Sequence, residues 1–161
     1  SHPMACVRTD GLYSTFFRSH EESCYVQSIQ NTDSLLASIY ETLGKTHDKW
    51  AMVYFADHGL MAVDRDSADE RLNHADKYKS DYNVPLFITT YDAHNRKEID
   101  APRSGFSFIS LISGLLGIND ALINTSCDLL SNEDCTPDRT VIKKDGSFVP
   151  YASLPDEKPL Y

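Results

Sequence analysis

Trp50-Ala51-Met52-Val53-Tyr54-Phe55-Ala56-Asp57-His58-Gly59 is the stretch on which the fold turns. Its first seven residues are an unbroken apolar run, too short for a buried helix, and they follow a charged loop. Such a run reads as a strand covered on both faces, the kind found inside a parallel sheet. Val84-Pro85-Leu86-Phe87-Ile88-Thr89-Thr90 reads as a second strand, with Pro85 at its start, where a missing amide does least harm.

Outward from these strands the periodicity changes. From Ser28 to about Thr46, Ile29, Leu35, Leu36, Ile39, Tyr40 and Leu43 recur at three- and four-residue steps, one apolar stripe on an amphipathic helix. Asn31, Thr32 and Asp33 offer caps for a late start, and Gly44 offers a stop. Residues 1–26 read as an irregular loop, and Asp64 to Tyr82 as a polar stretch without a period. Phe106 to Leu116 carries a second helical stripe closed by Gly117, and beyond Asn119 the chain turns polar and ends in a Pro-rich tail. Strand, crossover and strand with helices between predict an α/β sheet.

The 161 residues, 41% hydrophobic and 24% charged, suffice for one domain with a core. A net charge of −9 argues against nucleic acid or an anionic membrane surface as the main partner. No apolar run reaches the ~18–20 residues that cross a bilayer, and no basic-then-apolar leader is present, so a soluble piece is expected. Cys6, Cys24, Cys127 and Cys135 show no C-x-x-C or C-x-x-H spacing, which disfavours a structural zinc knuckle. Of their three possible pairings, Cys6–Cys24 with Cys127–Cys135 would clip two polar loops, and oxidised cysteines imply an extracytoplasmic home. Four reduced thiols in a cytosolic protein is the other reading.

The chemistry gathers at Asp57-His58-Gly59. Ligands of open α/β sheets collect beyond the carboxyl ends of the strands. A carboxylate and an imidazole there, with a glycine to let the chain turn, can face one ion, zinc or manganese. The plain alternative is that Asp57 caps the next turn and His58 is an ordinary loop histidine.

Further pieces carry a resemblance. They are Ser1-His2-Pro3 with Cys6 and Arg8, Asn31-Thr32-Asp33, Val53 to Gly59, Asn73-His74, Tyr82-Asn83-Val84-Pro85, Ser104-Gly105-Phe106 and Asp128-Leu129-Leu130-Ser131. Their order and rough spacing resemble the C-terminal part of the membrane-anchored phosphoethanolamine transferases of bacterial envelopes, in the alkaline phosphatase/sulfatase superfamily. The resemblance implies an α/β sandwich with a mainly parallel central sheet flanked by helices, residues 1–161 being the C-terminal part of its soluble catalytic domain. It implies that Asp57 and His58 are two ligands of a catalytic zinc, and that His74 and His2 lie at the substrate phosphate. His2 has a second reading, a cloning remnant. His20, His47 and His94 have no motif around them and read as surface residues; Arg103 reads as a surface residue, with a phosphate contact as its other reading; and the 28–46 stripe reads as core.

The chain departs from that family in places. Leu60 stands where many members have Glu after the DHG, which points to a side branch with another acceptor. The family's nucleophile is a threonine beside an acidic ligand, well upstream. Thr9, Thr15 and Thr32 lack that context, so no catalytic nucleophile is assigned in this chain, and the upstream transmembrane helices are likewise outside it. The resemblance implies an enzyme that takes phosphoethanolamine from a phospholipid onto its threonine and passes it to lipopolysaccharide or another glycan, on the periplasmic face of the inner membrane. With two adjacent ligands only, the chain alone is expected to bind zinc weakly and to be nearly inactive. The competing functions are a sulfatase or phosphodiesterase, a phosphoglycerol transferase, and a non-catalytic envelope module.

Overall fold

The computed structural model describes residue 6 and residues 19–65, 67, 69–123, 130–134 and 139–158. They fall into two compact units, one of residues 1–91 and 154–161, the other of residues 92–153.

In the first unit, helix α1 spans His20–Gly44. It starts eight residues before the apolar stripe because Ser19 is its N-cap: the Ser19 hydroxyl accepts from the Glu22 N–H at 3.0 Å, with Glu21 and Glu22 in the positively polarised first turn. Asn31-Thr32-Asp33 therefore lies mid-helix and caps nothing. The Thr32 hydroxyl instead donates to the Ser28 carbonyl four residues back, at 2.9 Å. The disulfide to Cys6 fastens the start of this helix at Cys24, which is fully buried. The stripe expected to be core is half open: Ile29, Leu35, Ile39 and Tyr40 are exposed, Leu35 at 60%.

Strand β1 (Ala51–Phe55) pairs with β4 (Leu86–Thr90), and between them run β2 (Met61–Val63) and β3 (Arg71–Asn73). The expected parallel sheet is not what these residues form: β1 and β4 pair antiparallel, Ala51 opposite Thr90 and Phe55 opposite Leu86. A parallel return needs a crossover element, usually a helix. Here residues 56–85 instead carry the antiparallel β2–β3 hairpin and a 3-10 turn, Lys79–Asp81, so the chain comes back in the opposite sense. Burial on both faces fails as well. Val53 and Tyr54 are half-buried, whereas Phe55, Leu86 and Phe87 are exposed, with Tyr54 and Phe87 stacked at 5.3 Å.

The described core of this unit is Cys24, Met61, Ala62, Leu72 and Leu154. Residues 155–158 strap it. The Glu157 carboxylate accepts from the Ala62 N–H at 2.8 Å, the Arg65 guanidinium at 2.6 Å and the Ser80 hydroxyl at 2.8 Å. Arg65 also donates to the Lys158 carbonyl, and the Pro155 carbonyl accepts from the Lys79 N–H.

The second unit holds helix α2 (Phe108–Leu116), entered through a 3-10 turn at Gly105–Ser107 and closed as expected by Gly117, whose φ of +67° is the left-handed cap. Strands β5 (Thr140–Ile142) and β6 (Phe148–Pro150) form an antiparallel hairpin. Arg103 is a clasp here rather than a solvated side chain: it donates to the carbonyls of Ala101, Pro102, Ser131 and Glu133. Cys127 and Cys135 lie outside the described residues.

Removing the Cys6–Cys24 bridge by the double substitution Cys6→Ser and Cys24→Ser is expected to cost about 3 kcal/mol, the figure for closing a loop of this length. Urea unfolding followed by circular dichroism reads it, and an unchanged midpoint would contradict it.

Candidate metal and phosphate site

The end of β1 delivers Asp57 and His58 into the turn that leads to β2. The Asp57 carboxylate accepts from the His58 N–H at 3.1 Å, which bends the chain back on itself. The His58 Nδ1 lies 2.9 Å from the Gly59 carbonyl, a distance at which it donates. That bond makes Nδ1 the protonated nitrogen and turns Nε2 toward Asp57. Nε2 stands 3.7 Å from Asp57 Oδ2, so the two atoms face each other. The limited burial of Asp57 pulls its carboxyl upward, but the His58 imidazole and the backbone N–H groups of Asp57 and His58 outweigh this. The carboxyl therefore sits below its ordinary value. Its side chain is 84% exposed, so the pair lies at the surface.

His74, directly after β3, stacks on His58 with ring centroids 4.4 Å apart and planes 27° from parallel. Its Nε2 is 3.3 Å from Asp76 Oδ1 and its Nδ1 is 3.6 Å from Asp81 Oδ1, and the Tyr82 ring meets it edge-on. The Tyr82 hydroxyl donates to Asp76.

Asp81 organises this arrangement. Its carboxylate is fully buried and accepts from the N–H groups of Ala75 at 3.0 Å, Lys77 at 3.0 Å and Tyr78 at 3.1 Å. Its backbone carbonyl accepts from the Gly59 N–H at 2.8 Å. One residue therefore holds the loop after His74 with its side chain and the loop after His58 with its main chain. The approach is close enough that a Cβ on Gly59 would lie 1.9 Å from the Ser80 carbonyl oxygen.

The structure thus brings together three of the residues the sequence singled out around Asp57, namely Asp57 itself, His58 and His74; His2 lies outside the described residues. His20, His47 and His94 are exposed. Asp76, Asp81 and Tyr82 were missed as site residues, since residues 74–81 mix two aspartates with two lysines and read as an ordinary polar loop. Among the described residues no third His, Cys, Asp or Glu donor joins Asp57 and His58 in a set with all its atoms within 4.8 Å. Cys6, His20 and Cys24 meet that distance, but both sulfurs are spent in the disulfide.

Comparison with known proteins gives consistent matches. A family model described as Sulfatase matches residues 1–118. Phosphoethanolamine transferase OpgE of Escherichia coli K12 is 36% identical over 137 residues, 85% of this chain and 26% of that protein. A Haemophilus influenzae protein provisionally named a phosphoethanolamine transferase is 40% identical over 70 residues, 37% of this chain and 14% of its own length. The E. coli K12 protein provisionally named transferase YhbX is 38% identical over 93 residues, 55% of this chain and 16% of its own. The chain spans about a quarter or less of the curated relatives it matches. No solved structure gives a significant match.

Asp81→Asn turns one acceptor into a donor facing backbone N–H groups, so it is expected to cost about 1–3 kcal/mol. It should also separate the two imidazoles, seen as loss of the ring-current shift that each histidine imposes on the other. Gly59→Ala should be comparably damaging through steric overlap with Ser80. Wild-type stability and unmoved histidine resonances in both variants would contradict this account of the site.

Proposed function

Because the chain belongs to the sulfatase family, we propose that it is part of a zinc-dependent transferase moving phosphoethanolamine from a phospholipid to lipopolysaccharide or another envelope glycan. The observation that carries this reading is the facing pair of Asp57 Oδ2 and His58 Nε2 at the end of β1, with His74 stacked behind it. The name of the relative OpgE supplies the group transferred.

The donor set fits the ion. Oxygen and neutral nitrogen are ordinary zinc ligands, and two such atoms about 2.0–2.1 Å from a tetrahedral ion stand about 3.3 Å apart. The observed 3.7 Å needs little adjustment. Manganese accepts the same donors. When bound, the ion supplies Lewis acidity toward a phosphoryl oxygen.

The chain's own residues do the rest. The Gly59 carbonyl keeps His58 Nδ1 protonated, so Nε2 stays a ligand. His74 lies beside the ion's ligands with both ring nitrogens facing carboxylates, and it takes up a phosphoryl oxygen by exchanging it for Asp76. We assign His2 to the same phosphate on the family resemblance alone. Phosphoryl transfer rests mainly on such charge placement. The remaining metal ligands and the threonine that carries the covalent intermediate come from outside residues 1–161. A periplasmic site on the inner membrane agrees with the Cys6–Cys24 bridge.

In the full-length protein, Asp57→Ala or His58→Ala is expected to reduce phosphoethanolamine transfer from phosphatidylethanolamine by about 100-fold or more, and His74→Ala by about tenfold or more. Radiolabelled donor lipid measures this. Undiminished transfer by Asp57→Ala would overturn the assignment, and aryl sulfate hydrolysis without lipid transfer would replace it with a sulfatase.

A further inference from the structure

His20 and Cys24 stand four residues apart in the first turns of α1, so their side chains leave the helix on one face. The disulfide brings Cys6 to that face, with its sulfur 3.9 Å from the His20 carbonyl. One donor atom from each residue, two sulfurs and an imidazole nitrogen, lies within 4.8 Å of the other two. Among the described residues no other three His, Cys, Asp or Glu donors gather that closely. Burial is graded across the group: Cys24 is fully buried, Cys6 half-buried and His20 exposed.

Two thiolates and an imidazole are a zinc donor set, and three protein ligands leave a fourth tetrahedral position for water. Ligands four residues apart on a helix are a recurring metal-binding spacing, because both point the same way. With zinc–sulfur and zinc–nitrogen bonds of about 2.3 and 2.0–2.1 Å, the ligand atoms of such a site stand about 3.5–3.8 Å apart. The observed spread is a modest side-chain rotation from that, the two cysteine Cα atoms being 4.9 Å apart. Glu21, beside His20, is committed elsewhere: its carboxylate accepts from the Leu72 N–H at 3.2 Å. While the sulfurs are bonded to each other the set holds no ion.

We propose that opening the Cys6–Cys24 bridge creates a zinc site, with Cys6, Cys24 and His20 as its ligands. The opening step is thiol–disulfide exchange with a dithiol. A thiolate of the dithiol bonds to Cys6 Sγ, the more accessible sulfur; the S–S bond breaks and its electron pair leaves on Cys24 Sγ. The second thiol of the reductant then displaces Cys6, and the dithiol departs as a disulfide. The chain has gained two electrons and two protons, and zinc binding releases the two protons. The bound ion closes the loop that the disulfide closed, so the start of α1 stays fastened in both redox states. None of Asp57, His58 and His74 takes part, and the proposal does not depend on the transferase reading.

The test uses the 161-residue chain carrying Cys127→Ser and Cys135→Ser, so that Cys6 and Cys24 are its only thiols. It is reduced with a phosphine, separated from it without air, and titrated with cobalt(II), the spectroscopic stand-in for zinc. A thiolate-to-cobalt charge-transfer band is expected to saturate at one ion per chain and to vanish on adding zinc. Cobalt on Asp57 and His58 gives no such band, since neither supplies sulfur. The oxidised chain should show no band. His20→Ala should weaken binding by about tenfold or more, since even an outer partner of a metal ligand is worth that much. Equal affinity in His20→Ala, a band in the oxidised chain, or no band after reduction would each overturn the proposal. Where reduction alone unfolds the chain, zinc should restore its dispersed amide spectrum, and a chain that zinc leaves unfolded overturns the proposal as well.

Discussion

The Asp81 carboxylate has no contact with water and spends both oxygens on the N–H groups of Ala75, Lys77 and Tyr78. Those three amides belong to the loop that leaves His74, while the Asp81 carbonyl takes the Gly59 N–H from the loop that leaves His58. The loop from β1 to β2 and the loop that leaves β3 are thereby held at one spacing, and the 4.4 Å stack of the imidazoles follows from it. A buried acceptor of this kind tolerates little movement, since each amide left behind would lose its partner in a place water does not reach.

Around that anchor the charges are arranged asymmetrically. Asp57 stands in solvent beside Nε2 of His58, whereas Asp76 and Asp81 face the two nitrogens of His74. One imidazole thus faces a solvated carboxylate and the other is enclosed by two carboxylates. The strap at residues 155–158 contributes at a distance: Glu157 holds Ser80, and the Ser80 carbonyl lies so close to Gly59 that no side chain fits between them.

Much of this was legible in the residues, for reasons that differ between elements. The strand before Asp57 showed itself as an apolar run, and Gly117 as a left-handed stop, because both are local properties. The start of α1 was also written locally, in Ser19 and Glu22 three residues on, but the more conspicuous apolar stripe drew the boundary later. Strand direction was not local. It depended on whether residues 56–85 form a crossover or a hairpin, and the polar stretch hid β2 and β3 because three-residue strands leave hardly any period to detect. Asp57 and His58 were visible as chemistry next to a strand end, and His74 through the family resemblance alone. Asp81 was not, since an aspartate in a polar loop is ordinarily solvated and only the fold shows that this one is buried.

The account stands on Asp57 and His58 gripping one cation together. Crystals of the 161-residue chain grown in millimolar zinc, with diffraction recorded above and below the zinc absorption edge, put that to the most direct test. The account predicts an anomalous peak within bonding distance of both Asp57 Oδ2 and His58 Nε2, with His58 Nδ1 still on the Gly59 carbonyl. A peak bound to one of the two alone, or no peak at the end of β1 while zinc occupies other sites, would contradict it.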